Sequence, residues 1–282
     1  MKYWFQDKYS INTILNIKIK ETLFKGRSNY QRIEILDSYD FGRILVLDGI
    51  VNVTEKDEFI YHEMMVHVPL FTHSNPKKAL VIGGGDGGIV RELSKHPQLN
   101  QIDLVEIDPM VVDKCKEFLP SVSVGFKESH LNVYFEDGAQ FVKNKENYYD
   151  VIIVDSSDPV GSGEKLFQKN FYKNCFRALK EEGVLTAQSE TPTFEEELRI
   201  MKSMYTKLHR IFPIVKLFTA YVPSYTCGIW CFIICSRKCD PLKNFQVKRY
   251  KKVRLKNRYY NADIHRASFA LPNFLKAEFN NF

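Results

Sequence analysis

Residues 79–88 read Ala79-Leu80-Val81-Ile82-Gly83-Gly84-Gly85-Asp86-Gly87-Gly88, a short apolar run that breaks into five glycines interrupted by one acid. Four apolar residues without alternation predict a buried parallel strand, and the glycines let the backbone turn sharply and approach a ligand closely. Gly83, Gly85 and Gly88 satisfy the G-x-G-x-x-G pattern of dinucleotide-binding turns. Glu106 stands about twenty residues on, where a ribose-binding acid is expected. Asp86 argues against a dinucleotide, because a carboxylate inside the turn repels the pyrophosphate that such loops and helix N-termini hold. The turn is therefore read as a site for a nucleoside that carries positive charge.

Downstream of residue 77 apolar runs alternate with helical patterns, the mark of a parallel sheet with crossover helices. Strands are expected at 79–82, 102–107, 131–135, 151–154, 184–187, 215–219 and 229–235, and helices at 88–95, 109–118, 139–145, 171–180 and 194–212. In open sheets of this kind ligands bind beyond the carboxyl ends of the strands. There the chain is acidic. Asp86 follows the first strand, Glu106 and Asp108 the second, Asp137 the third, and Asp155 with Asp158 the fourth. One such acid is an ordinary helix N-cap. Four strand ends in a row point to a pocket whose carboxylates repel one another unless cations lie among them.

Upstream, residues 1–56 are predicted to form a small antiparallel β domain, and residues 57–282 a Rossmann-like domain with a seven-stranded sheet. Ile17 and Ile19 alternate with Lys18 and Lys20, Ile33 and Ile35 with Arg32 and Glu34, and Asp48-Gly49 is a hairpin signal. Asp57-Glu58 opens a helix with Ile60, Met64 and Val68 at four-residue spacing, expected to end at Pro69. His62-Glu63 and His67 miss the metalloprotease spacing. Histidines five apart point about 140° away from each other, so they are read as packed or hydrogen-bonded residues, with His62 a candidate to face a ligand.

The composition sets limits on function. A chain of 282 residues, 44% hydrophobic and 26% charged, has room for two globular domains. No segment approaches the roughly 18 uninterrupted apolar residues of a membrane span. Met1 to Asp7 lacks the apolar stretch of a signal peptide, so a cytoplasmic location is expected. The net charge of +6 means that a cationic ligand needs a locally acidic pocket, which the strand-end acids supply. Six cysteines without a secretory signal predict reduced thiols. Cys227, Cys231, Cys235 and Cys239 recur every four residues and are read as one face of a buried strand; successive thiols about 13 Å apart cannot share a zinc ion. Seven bases between Lys248 and Arg258 are read as a solvated segment rather than a nucleic-acid surface.

An adenosyl sulfonium compound suits the strand-end acids. Glu106 can accept both ribose hydroxyls and Asp137 a hydrogen bond from the adenine amino group. A co-substrate lacking the carboxylate of S-adenosylmethionine leaves an ammonium for Asp86. No metal is called for, because the leaving thioether is already activated by its charge.

At this point the residues resemble a known family. The resemblance rests on Tyr30-Gln31, Leu47-Asp48-Gly49, the run from Glu55 to Met64, Gly83 to Gly88, Asp155-Ser156-Ser157-Asp158-Pro159, Tyr259-Tyr260-Asn261 and Phe269-Ala270-Leu271-Pro272. Over nearly its whole length the chain is similar to the spermidine synthases, polyamine aminopropyltransferases that use decarboxylated S-adenosylmethionine. The resemblance implies that Gln31, His62, Gly83, Gly85, Asp86, Glu106, Asp137, Gly138 and Asp155 surround the nucleoside co-substrate. It places Tyr61, Asp155, Asp158, Gln188 and Tyr225 around the acceptor, putrescine. A primary ammonium with a pKa of about 10.4 has no free lone pair, so Asp155, assisted by Tyr61, is the expected catalytic base. The resemblance also implies a homodimer or homotetramer with no nucleic-acid or membrane partner, and a lid over Ser156 to Leu166. The chain departs from the family's Tyr-Pro-Ser-Gly at Tyr225-Thr226-Cys227-Gly228, which bears on the diamine end of the site. A methyltransferase using intact S-adenosylmethionine is the nearest rival, and Asp86 speaks against it. An inactive nucleoside- or polyamine-binding protein is a second, and the full set of acids speaks against that.

Overall fold

The computed structural model describes residues 3–10, 12–156, 166 and 168–279. The N-terminal stretch forms β1 (Tyr3–Asp7), β2 (Leu15–Arg27), β3 (Arg32–Ser38), β4 (Arg43–Leu47) and β5 (Ile50–Thr54), paired antiparallel in chain order. Asp48 and Gly49 join β4 to β5 with positive φ at both positions, 50° and 93°, the twist a two-residue hairpin needs. The expected alternation holds: Ile17, Ile19, Ile33 and Ile35 are buried, while Lys18, Lys20 and Arg32 are exposed. One face of this sheet packs Ile33, Ile35, Leu45 and Val53 against Val111 and Cys115 of α3 (Pro109–Phe118). The small sheet is thereby fixed to the larger domain.

The second sheet contains β6 (Lys78–Gly83), β7 (Gln101–Glu106), β8 (Leu131–Phe135), β9 (Tyr149–Asp155), β10 (Leu179–Gln188), β11 (Ile214–Tyr221) and β12 (Ile229–Ser236), in the order β11-β12-β10-β9-β6-β7-β8. The five strands from β10 to β8 run parallel, and β12 pairs antiparallel with both β10 and β11. Alternate residues of β6 serve two cores. Val81 joins α1 (Glu58–Thr72) and α2 (Gly88–Ser94) on one face. Leu80 and Ile82 join α4 (Gly138–Lys143), α5 (Lys169–Ala178) and α6 (Glu195–His209) on the other. Burial on both faces explains why the parallel strands read as unbroken apolar runs. The strand order reverses between β6 and β9, and the crevice above such a reversal is where ligands bind.

Three expectations need correction. Helix α1 runs through Pro69 to Thr72, because burial of nearly every α1 side chain holds the last turn, and the missing N–H removes only one bond. The cysteine rhythm is not one strand face: Cys231 and Cys235 are buried on β12, but Cys227 is exposed in the preceding turn and Cys239 lies beyond the strand. The basic segment is not solvated throughout. It contains α7 (Val247–Val253), and the Arg249 guanidinium turns inward to donate to the carbonyls of Leu70 and His73. Strand β1 and the short helices α7, α8 (Ala262–Ala267) and α9 (Asn273–Phe279) carry no pattern strong enough to be expected from sequence. Among the described residues no helix is long and apolar enough to cross a membrane. Apart from Ser156 and Leu166, the expected lid lies outside the described residues, as does Asp158.

Candidate active site

The glycine turn rests directly on the end of β9. Gly83 has φ of 84°, and a Cβ there would lie 2.0 Å from the Asp155 carbonyl oxygen, so only glycine allows the approach. The Gly84 N–H donates to that same carbonyl at 3.0 Å. The turn then swings Asp86 back toward α1. Its Oδ1 accepts from the Gly88 N–H at 2.7 Å and meets His62 Nε2 at 3.2 Å. On the other side of the crevice, Tyr61 donates its hydroxyl proton to Asp155 Oδ1 at 2.5 Å. Consecutive residues of one buried helix thus serve two different acids.

The charges follow from this geometry. His62 is buried, which disfavours its charged form, but Asp86 on Nε2 and Glu58 on Nδ1 at 2.6 Å outweigh burial and raise its pKa to about 10. His62 is therefore an imidazolium at neutral pH. Burial also acts on Asp86, yet the charge and hydrogen bond of His62 hold its carboxyl below the ordinary value. Asp155 is different. Burial first, and the Asp86 charge second, push it up to about 6 against the opposing influence of His62 and the Tyr61 hydroxyl. Such a group is ionised at neutral pH and has raised basicity.

Farther along the sheet end, burial pushes Glu106 up to about 7, with the nearby Asp108 charge adding to it and backbone N–H donors opposing it. Its Oε1 accepts from the Asp108 N–H at 2.9 Å. Asp108 caps α3 through Met110 N–H and takes Gln31 Nε2 at 3.0 Å and Ser28 Oγ at 2.6 Å. Asp137 caps α4, accepting from the Ala139 N–H at 2.8 Å.

A cavity of about 430 Å³ opens over these groups. It is lined by Gln31, Tyr61, His62, Gly83, Gly85, Asp86, Glu106, Asp137, Gly138, Asp155, Gln188 and Tyr225, every residue that the resemblance placed around the two ligands except Asp158; of the strand-end acids, Asp108 stands outside the lining. His62, Asp86 and Asp155 bring one ligand atom each within 4.8 Å of one another, a spacing that a metal ion can bridge. The protonation of His62 argues for another use: both ring nitrogens face carboxylates, so neither has a lone pair to offer.

Comparison with known proteins agrees with the geometry. Residues 58–247 match the family model of the spermine/spermidine synthase domain, and residues 3–55 that of the spermidine synthase tetramerisation domain. The chain belongs to the spermine/spermidine synthase family. It is 48% identical over 277 residues to a polyamine aminopropyltransferase of Clostridioides difficile, covering 98% of each chain. It is 46% identical over 281 residues to one from Clostridium perfringens strain 13, covering 100% of this chain and 99% of the relative. A crystal structure of spermidine synthase in complex with the transition state analogue AdoDATO superposes with a TM-score of 0.96 at 40% identity, covering 99% of this chain and 96% of that one. The spermidine synthase of Thermotoga maritima does so with a TM-score of 0.93 at 38% identity, covering 99% and 95%.

This family member also places in the cavity residues that sequence reasoning missed. Asp7 on β1 is buried there, and burial raises its pKa. It accepts from Thr226 Oγ1 at 3.0 Å, a side chain 219 positions away. No local pattern announces such a pair. Asp57 accepts from the Ser224 N–H at 2.7 Å and from Thr54 Oγ1 at 2.6 Å, binding the Tyr225 loop to the start of α1. The Tyr225 hydroxyl donates to the Asn52 carbonyl at 2.7 Å. The loop is therefore tied down at three successive residues, Ser224, Tyr225 and Thr226. Glu58 carried a visible signal, its four-residue spacing from His62 on a helix.

Proposed function

We propose that this protein is a spermidine synthase, transferring the aminopropyl group of decarboxylated S-adenosylmethionine to putrescine to give spermidine and methylthioadenosine. The observation that carries the reading is the Tyr61–Asp155 hydrogen bond, with Asp155 raised to about 6 beside a second acid already paired with an imidazolium. Glu106 is suited to the ribose hydroxyls, whose two donors favour its ionised form, and Asp137 with Gly138 to the adenine edge. Gln31, held by Asp108, orders the same end of the cavity.

Among the described residues both contacts of Asp86 fall on Oδ1, so Oδ2 is the oxygen for the ammonium of the co-substrate tail. The acceptor amine arrives protonated. Asp155 takes its proton, and the Tyr61 hydroxyl fixes which carboxylate oxygen faces the amine. The freed nitrogen attacks the methylene carbon beside the sulfonium, a C–N bond forms as the C–S bond breaks, and the electron pair returns to sulfur. Gln188 and Tyr225 line the diamine channel, and Asp7 is the buried acid suited to the second ammonium. The role of Asp158 rests on the family resemblance alone.

The AdoDATO complex of the superposed spermidine synthase supports an adenosyl co-substrate, and the match to a tetramerisation domain supports a homo-oligomer built on the five-stranded sheet. We place the boundary between the small domain and the catalytic domain at residues 56 and 57. The test is a panel of putrescine, cadaverine, agmatine and spermidine offered with decarboxylated S-adenosylmethionine, with methylthioadenosine and the polyamine product measured. Putrescine is expected to give the highest kcat/KM; a clear preference for another amine would move the assignment to another aminopropyltransferase.

A further inference from the structure

From the cavity wall, where Glu58 and His62 also stand, a line of charged groups leads away from Asp86 through three elements. His62 Nδ1 faces Glu58 Oε2 at 2.6 Å. Glu58 is gripped by the Arg91 fork, with Nη1 to Oε1 at 3.0 Å and Nη2 to Oε2 at 2.7 Å. Arg91 Nε donates to Glu92 at 2.9 Å, and Glu92 is met in turn by Lys95 at 2.5 Å and by His67 Nε2 at 3.1 Å. Arg91 does not line the cavity. A bidentate guanidinium–carboxylate pair fixes direction as well as charge, so the Glu58 carboxylate has little freedom. Along this line Glu58, Asp86 and Glu92 balance His62, Arg91 and Lys95 when His62 is protonated.

We propose that Glu58 is a positioning residue for the reaction: gripped by Arg91, it fixes the ring and the charge of His62, and His62 in turn holds Asp86 in place for the cationic tail of the co-substrate. The proposal rests on the function assigned above. The titratable and charged groups around His62 are Glu58 and Tyr61 on its own helix, Asp86 after β6, Asp155 at the end of β9, and Arg91 on α2 behind Glu58. His62 makes its hydrogen bonds to Glu58 and Asp86 and none to Asp155. The protein thus gives its own cation to one acid of the pair and leaves the other to act as base. Glu58 works through His62, so its loss affects binding of the co-substrate more than the chemical step.

The test is Glu58→Gln, which keeps the shape and removes the charge. The His62 titration midpoint, followed by NMR of 13C-labelled histidine, is expected to fall by two pH units or more from about 10. The KM for decarboxylated S-adenosylmethionine is expected to rise about tenfold, the scale of a lost hydrogen bond to a charged group, with kcat within about threefold of wild type. Glu58→Asp keeps the charge and shortens the reach, so its midpoint falls between the two. An unmoved His62 midpoint in Glu58→Gln, or in Glu58→Asp should the first variant not fold, overturns the proposal. So does a loss of thermal stability with KM unchanged, which is the signature of a merely structural role. The titration needs no substrate; absence of methylthioadenosine formation by the wild type would refute the function and leave Glu58 to be judged by the NMR alone.

Discussion

Asp137 and Asp155 both stand at the carboxyl ends of parallel strands, β8 and β9, yet they differ in what comes next in the chain. Helix α4 begins one residue after Asp137, and its exposed N–H groups satisfy the carboxylate. The residue after Asp155, Ser156, is not helical. Among the described residues the Asp155 carboxylate takes one proton donor, the Tyr61 hydroxyl, and it faces Asp86, so burial and like charge drive its pKa up to about 6. Identical side chains near the carboxyl ends of two parallel strands have become a helix cap and a basic group. The helix N-terminus at Asp137, and burial beside the Asp86 charge at Asp155, make the difference.

The most severe way to break this comparison is Asp155→Asn. Turnover is expected to fall by about 10³-fold or more, within the range of a lost general base, with methylthioadenosine affinity within a few-fold of wild type. Near-normal turnover would remove Asp155 from the role of base. Stability moves in the opposite direction. A carboxyl group whose pKa is raised by folding contributes its stability below the unfolded pKa and loses it as pH rises through about 6. At pH 8 the ionised group costs up to about 3 kcal/mol, so the asparagine variant is expected to unfold at higher urea concentration than wild type.

Asp86→Asn comes next in size. Affinity for decarboxylated S-adenosylmethionine is expected to drop about 10- to 100-fold, while methylthioadenosine, which has no ammonium tail, loses only a few-fold. Equal losses would show that Asp86 does not meet the tail. The same variant shifts the acid side of the pH profile. In wild type kcat/KM falls below about pH 6 as Asp155 takes a proton; without the Asp86 charge the Asp155 pKa drops, and that limb moves to lower pH.

How much of this was visible beforehand depended on how local each cause is. The sheet, its crossover helices and the acids at its strand ends are written in short apolar runs and the residues that follow them, so Asp86, Glu106, Asp137 and Asp155 could be named from the sequence. What the acids would face could not. Glu58 meets Arg91 33 positions on, through the packing of α1 on α2, and Asp7 meets Thr226 across most of the chain. Pro69 misled because a proline is a strong local stop signal, whereas α1 is held by burial on all sides. Helices α7 to α9 are six or seven residues long, too short for a 3.6-residue period to stand out.

The smallest effect is the sharpest test of the comparison itself. Asp137→Ala removes the α4 cap and is expected to cost about 1 kcal/mol, while Asp137→Asn, which can still accept from the Ala139 N–H, costs little. The alanine variant should therefore unfold at a lower urea concentration than wild type at pH 8, the condition under which Asp155→Asn unfolds at a higher one. Opposite signs follow from the structure because one carboxylate is stabilised by a helix N-terminus and the other is held, buried, next to a like charge. If Asp137→Ala were as stable as wild type, the hydrogen bond from Ala139 would contribute nothing net, and the role of a strand-end acid in this sheet would have to be traced to something other than the helix that follows it.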